Sequence, residues 1–116
     1  MTRLAAGEVT DTGALGAKWQ PAPAEQRVSG TPATRYAEIN DAPGRSIGVW
    51  EMSPGAMRDI EADEVFVVLA GSATVEFEEP ALAPIELRPG SIVRLEEGMR
   101  TIWTVRETLR KIYIAP

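Results

Sequence analysis

From Arg35 onward the chain alternates apolar and polar positions in short runs. Val75 and Phe77 stand against Thr74, Glu76 and Glu78, and Trp103 and Val105 stand against Ile102 and Thr104. A period of two puts successive side chains on opposite faces of a strand. The candidate strands are "RYAEIN", "SIGVWEM", "EVFVVLAG", "SATVEFEE", "PIELRP", "SIVRLEE", "TIWTVRE" and "LRKIYIAP", separated by Gly, Pro and Asn/Asp turns. Many short strands at close spacing predict an all-β fold, an antiparallel sandwich or barrel. The segment "EEGMRTIWTVRETLRKI" contains good helix formers, but Gly98 and the density of β-branched residues favour strands there.

Before Arg35 the pattern changes. "GAKWQPAPAEQRVSGTPAT" carries Pro21, Pro23 and Pro32 among small residues, a composition that favours extended chain over helix. The expected organisation is an N-terminal arm over residues 1–34, packed on the barrel or on a dimer partner, and a barrel over residues 35–116. Trp19 is the expected anchor of the arm, because a docked indole buries a large apolar area.

Composition limits the function classes. The 116 residues suit one domain; 44% are hydrophobic and 25% charged, the balance of an ordinary globule with its own core. A net charge of -5, with no local Lys/Arg run, opposes binding to nucleic acid and to anionic membranes. "MTRLAAGEVTDTGALG" lacks the continuous apolar core of a signal peptide, and no apolar stretch approaches the roughly 20 residues of a membrane span, so a cytoplasmic protein is expected. There is no cysteine for a disulfide, a thiolate nucleophile or a zinc-thiolate site. There is also no histidine, which removes most familiar metal, hydrolase and triad chemistries and leaves carboxylate, lysine, arginine, tyrosine and hydroxyl groups.

Glycine spacing narrows the fold. Gly55 precedes an acidic stretch; Glu64 is followed by Gly71; Gly90 is followed by "EGMRTIW", which holds Gly98. This frame resembles the two motifs of the cupin superfamily. "GVWEMSPG", "DEVFVVLAG", "LRPGSIV", "EEGMRTIWTV" and "LRKIYIAP" are similar to the small single-domain cupins of the ureidoglycine aminohydrolase-like and ethanolamine-utilisation group. The resemblance implies a double-stranded β-helix, the jelly-roll barrel, with the extended N-terminal arm, and a homodimer formed through its sheets and that arm.

The departures from the family pattern bear on chemistry. Thr101 stands where a metal-binding cupin has its third histidine, and Glu96 replaces the proline of the second motif. The first two histidine positions fall in "MRDI", on either Met57 and Asp59 or Arg58 and Ile60. Of the four usual ligands only Glu64 survives, too little for a tight transition-metal site. No metal and no other cofactor is therefore expected, and the manganese-dependent activity of some relatives is not carried over. An all-oxygen site for Mg²⁺ or Ca²⁺ from Asp59, Glu61, Asp63 and Glu64 is opposed by alternation: Asp63 should point outward, and Glu61 with Asp63 should lie in a solvated turn.

Glu64, on an inward face with Phe66 and Val68, needs a partner, since an unpaired buried carboxylate is costly. Lys111 and Tyr113 share one face of the last strand, opposite Arg110, Ile112 and Ile114, and Arg58 is a second candidate cation. Candidate catalytic residues are thus Glu64, Lys111 and Tyr113. Arg58, Trp103, Thr101 and Trp50 are candidates for contacting a substrate, Trp50 with core packing as its competing role. Three readings stay open: metal-independent binding of a small polar or anionic metabolite; a metal-free acid/base enzyme of isomerase or lyase type; and a structural or regulatory subunit whose barrel is merely filled.

Overall fold

The structure, a computed structural model, describes residues 4–42 and 44–116; the first three residues of the expected arm lie outside them. Among the described residues, apart from a single 3-10 turn at Thr12–Ala14, the regular elements are strands. In chain order these are β1 (Gln20–Pro21), β2 (Arg27–Ser29), β3 (Ala33–Ala42), β4 (Arg45–Met52), β5 (Gly55–Ile60), β6 (Glu64–Glu79), β7 (Ile85–Leu87), β8 (Ile92–Leu95) and β9 (Arg100–Ala115). No helix among the described residues is long and apolar enough to cross a membrane.

All the pairings are antiparallel, and β6 and β9 organise them. The first half of β9 is flanked by β5 and by the second half of β6; its second half is flanked by β4 and by the first half of β6. The long β6/β9 pair therefore runs through both faces of a jelly roll. Outward from it, β8 and the β4, β3, β1 series complete one face, and β7 with the β5, β2 pair completes the other. The all-β barrel expected from the alternation is the fold, in the form of the double-stranded β-helix that the cupin resemblance implies.

Two pairs of expected strands are each one strand. "EVFVVLAG" and "SATVEFEE" join as β6, and "TIWTVRE" and "LRKIYIAP" join as β9. The reason lies at Gly71, whose φ is +92° and where a Cβ would stand 2.2 Å from the Thr108 carbonyl oxygen. The register shifts on both sides of Gly71, so the inward positions change from Phe66 and Val68 to Ala73 and Val75 while the strand continues. A bulge re-aims side chains without ending the ladder. The converging face holds Met52, Phe66, Val68, Val75, Leu87, Leu95, Trp103 and Leu109 as the core.

Candidate functional site

Strand register decides which side chains meet. Across β3, β4 and β9, Arg35, Glu51 and Arg110 are level; one residue away, Tyr36, Trp50 and Lys111 are level. Neighbouring residues point to opposite faces, so the two rungs serve different sides of the sheet. The first lies under Leu15 and Ala17 of the N-terminal segment. The second opens into the barrel.

Inside the barrel, Lys111 is buried. Its Nζ donates to Glu64 Oε1 at 2.7 Å and lies 4.3 Å from the ring centroid of Phe66, 4.8 Å from Trp103 and 4.9 Å from Trp50. The ion pair and three ring faces together hold an ammonium group. Trp103 packs on both other rings, with centroids 5.5 Å from Trp50 and 5.6 Å from Phe66. Beside this group is a cavity of about 280 Å³, with Trp50, Tyr36 and Tyr113 among its walls and Asp59, Glu61, Glu64 and Lys111 as its charged lining. That size lies near the lower end for small-molecule sites.

Glu61 is the residue that the sequence reading misplaced. It is 7% exposed, not in a solvated turn. Its backbone is fastened to the loop between β8 and β9: Glu61 N donates to the Met99 carbonyl at 2.8 Å, and Gly98 N donates to the Glu61 carbonyl at 2.9 Å. Glu97 N adds a bond to Asp63 Oδ1 at 2.9 Å, and Asp63 faces out as expected. So anchored, Glu61 prolongs the inward series Met57, Asp59, Glu61. Its Oε2 accepts from Thr101 Oγ1 at 2.6 Å and from Trp103 Nε1 at 2.9 Å. Among the described residues Oε1 takes no hydrogen bond, and no buried side-chain oxygen lacks a partner, which leaves Oε1 to the cavity.

Asp59, on the same inward face of β5, accepts one bond, from the backbone N of Ile60 at 2.9 Å. Burial first, and then the charge of Glu61, push its carboxyl up to about 6. Tyr113 crosses β4 where Gly48 has no side chain; a Cβ there would stand 2.2 Å from the Tyr113 hydroxyl. Burial, followed by Glu38 and Tyr36, raises the Tyr113 phenol above its ordinary value.

Of the candidate site residues, Glu64, Lys111, Tyr113, Trp103 and Trp50 meet at this cavity. Thr101 does not line it: fully buried, it supports Glu61 from behind. Arg58 turns to the other face of β5, half-exposed, with its Nε 3.4 Å from Glu78 Oε1, so it cannot grip a ligand in the barrel. Of the two alternatives for the histidine positions in "MRDI", Met57 and Asp59 face inward, Met57 in the core and Asp59 on the cavity. Asp59 and Glu61 are both cavity residues; sequence reasoning left Asp59 as one of two alternatives for an inward position and assigned Glu61 to the surface. The available signal was the alternation itself, which runs unbroken from Met57 to Glu61.

The donor set does not fit the divalent metal of cupin enzymes. Glu64, the surviving ligand position, is engaged by the Lys111 ammonium, and the Thr101 hydroxyl is engaged by Glu61. Among the described residues no group of three or more His, Cys, Asp or Glu side chains is arranged to hold an ion. A fixed cation within the donor set also repels a second one.

Residues 41–113 match the family model of the EutQ-like cupin domain. The chain belongs to that family. Among solved structures, this EutQ-like cupin superposes on a protein of unknown function from Pseudomonas syringae with a TM-score of 0.73 at 22% identity, covering 91% of this chain and 46% of that one. The EutQ protein of Clostridium difficile gives a TM-score of 0.62 at 16% identity over 72% of this chain and 61% of that one. A protein of unknown function from Acidithiobacillus ferrooxidans gives 0.61 at 21% identity over 95% and 97%. The first two are covered over less than two thirds of their length, and at these identities the likeness is one of fold. No curated protein matches the chain.

Proposed function

We propose that this EutQ-like cupin binds a small polar metabolite in the barrel mouth and does so without a metal. The observation that carries the proposal is the Lys111 ammonium, 2.7 Å from Glu64 and framed by three aromatic rings at the edge of an open cavity. A fixed cation there offers its remaining N–H groups to a ligand acceptor, the polarising role that a metal fills in other cupins. The open volume also argues against a barrel that is merely filled. The test is thermal stabilisation by a broad metabolite panel, on protein stripped with a chelator and assayed for metal by plasma mass spectrometry. Saturable stabilisation without metal, weakened in Lys111→Ala, is expected. A ligand effect that appears only with stoichiometric Mn, Fe, Ni or Zn would sink the proposal.

One observation favours acid/base chemistry as a second reading. Asp59, raised to about 6 mainly by burial, has the poise of a proton acceptor near neutral pH. That reading rests on Asp59 more than on Glu64, whose carboxylate is occupied by Lys111. Tyr113, with its phenol raised, would serve as a hydrogen-bond donor.

A further inference from the structure

The cavity holds more negative than positive charge. Glu64 and Lys111 balance each other in charge. Asp59 and Glu61 have no ion-pair partner among the described residues, while nearby Arg58 and Arg100 turn to Glu78 and Glu79 on the outer surface. Glu61 is held at Oε2 by two neutral donors and presents Oε1 to the cavity. A carboxylate this buried is normally completed by a cation. We infer that the cavity selects a protonated organic amine, received between Glu61 Oε1 and the Asp59 carboxylate; this rests on the binding-site reading above.

Each part of the lining acts in the same direction. An ammonium group donates charge-assisted bonds to both carboxylates, and they leave it no like charge to face except Lys111, which Glu64 screens. An anionic ligand would meet two unpaired carboxylates on entry. The walls suit a cation as well: Trp50, Tyr36 and Tyr113 present aromatic surface to the cavity, and Trp50 already stands 4.9 Å from one ammonium, that of Lys111. Glu61 is fixed in aim before any ligand arrives, because Thr101 and the Trp103 indole bind its other oxygen. A pre-oriented acceptor loses little freedom on binding.

The Trp103 indole N–H, bonded to Glu61, is a reporter inside the site. The experiment titrates ¹⁵N-labelled protein at neutral pH and constant ionic strength with propylamine, propionate and propionamide, probes of matched size, and follows that resonance. Propylammonium is expected to shift it saturably, in the millimolar range suited to so few atoms, with propionate and propionamide at least tenfold weaker. Glu61→Gln, which keeps an acceptor for Trp103, is expected to weaken the amine at least tenfold, and Asp59→Asn to weaken it severalfold. Stronger binding of propionate or propionamide than of the amine would overturn the inference and leave the binding site standing. An amine effect unchanged in both variants would overturn the placement at Glu61 and Asp59. Silence of all three probes would overturn the inference together with the reading it rests on.

Discussion

Glu51 and Glu61 are both 7% exposed, yet they occupy opposite electrostatic situations. Glu51 lies between Arg35 and Arg110, one on each neighbouring strand, and the gap beside it is too narrow to admit a water molecule. Burial opposes its ionisation, but hydrogen bonds and charge from the two arginines outweigh burial and hold its carboxyl below the ordinary range. Glu61 has neutral donors on one oxygen and a cavity of about 280 Å³ on the other side. The protein finishes the first carboxylate itself, as a clasp across β3, β4 and β9. It leaves the second unfinished, and an unfinished buried charge is a place for something from outside. Burial alone distinguishes nothing; the partners do.

The comparison is tested most strongly by the same isosteric change at both positions. Glu51→Gln leaves two arginines, each about a quarter to a third exposed, facing an amide, and is expected to lower the free energy of unfolding by about 2 kcal/mol. Glu61→Gln removes a charge that has no ion-pair partner among the described residues and keeps an acceptor for Thr101 and Trp103, so its cost is expected to stay within about 1 kcal/mol. Urea denaturation midpoints compare the two. Equal losses would mean that Glu61 is as structural as Glu51.

A smaller effect of opposite sign belongs to Asp59. Its carboxyl is raised from 3.8 to about 6, chiefly by burial and then by Glu61. Between those values the unfolded chain is ionised while the folded chain still holds its proton; as pH rises through about 6, the ionised group begins to cost stability in full. Glu51 works the other way, contributing stability above its ordinary 4.5 that is lost as the pH falls through its lowered value. Asp59→Asn is therefore expected to stabilise the protein at neutral pH by about 1 kcal/mol, after allowance for its contact with solvent, and to lose that advantage below pH 3.8. Unfolding curves at several pH values measure it. Destabilisation at neutral pH would show that Asp59 has a partner in the fold and is not held for a ligand.

The all-β class was legible because alternation is a local signal with few alternatives, and the jelly roll because the ordered glycine motifs resemble those of a known family. Strand joining was harder to see: Gly71 reads as a turn, and only the pairing with β9 on both sides of it shows that β6 passes through. Half of the site was legible for the same reason as the fold. Glu64 and Lys111 lie on strands of unmistakable period, and inward faces of strands must meet. Glu61 was lost because acidic residues ahead of a strand are ordinarily solvated and because the alternation was counted back from Glu64, where counting on from Met57 sends Glu61 inward. What buries Glu61 is a backbone clasp to Met99 and Gly98, a long-range pairing with no trace in the local sequence. Arg58 was placed inside as a candidate cation and as one of two alternatives for a histidine position, where the alternation, counted from Met57, sends it out.

The smallest predicted effect concerns the cover of the closed face. Trp19 is 39% exposed, and its ring receives the Arg35 guanidinium at 4.4 Å, so it touches the Glu51 clasp through Arg35. Trp19→Ala should remove one partly solvated cation–π contact, about 0.5–1 kcal/mol, because Arg35 keeps its bidentate hold on Glu51. The Trp103 indole resonance should not move, since the level of Arg35 and Glu51 faces away from the cavity. A denaturation midpoint and one NMR spectrum suffice. A displaced Trp103 signal would mean that the N-terminal segment and the barrel interior are coupled through β4, and the division between a closed face and an open one would fail with it.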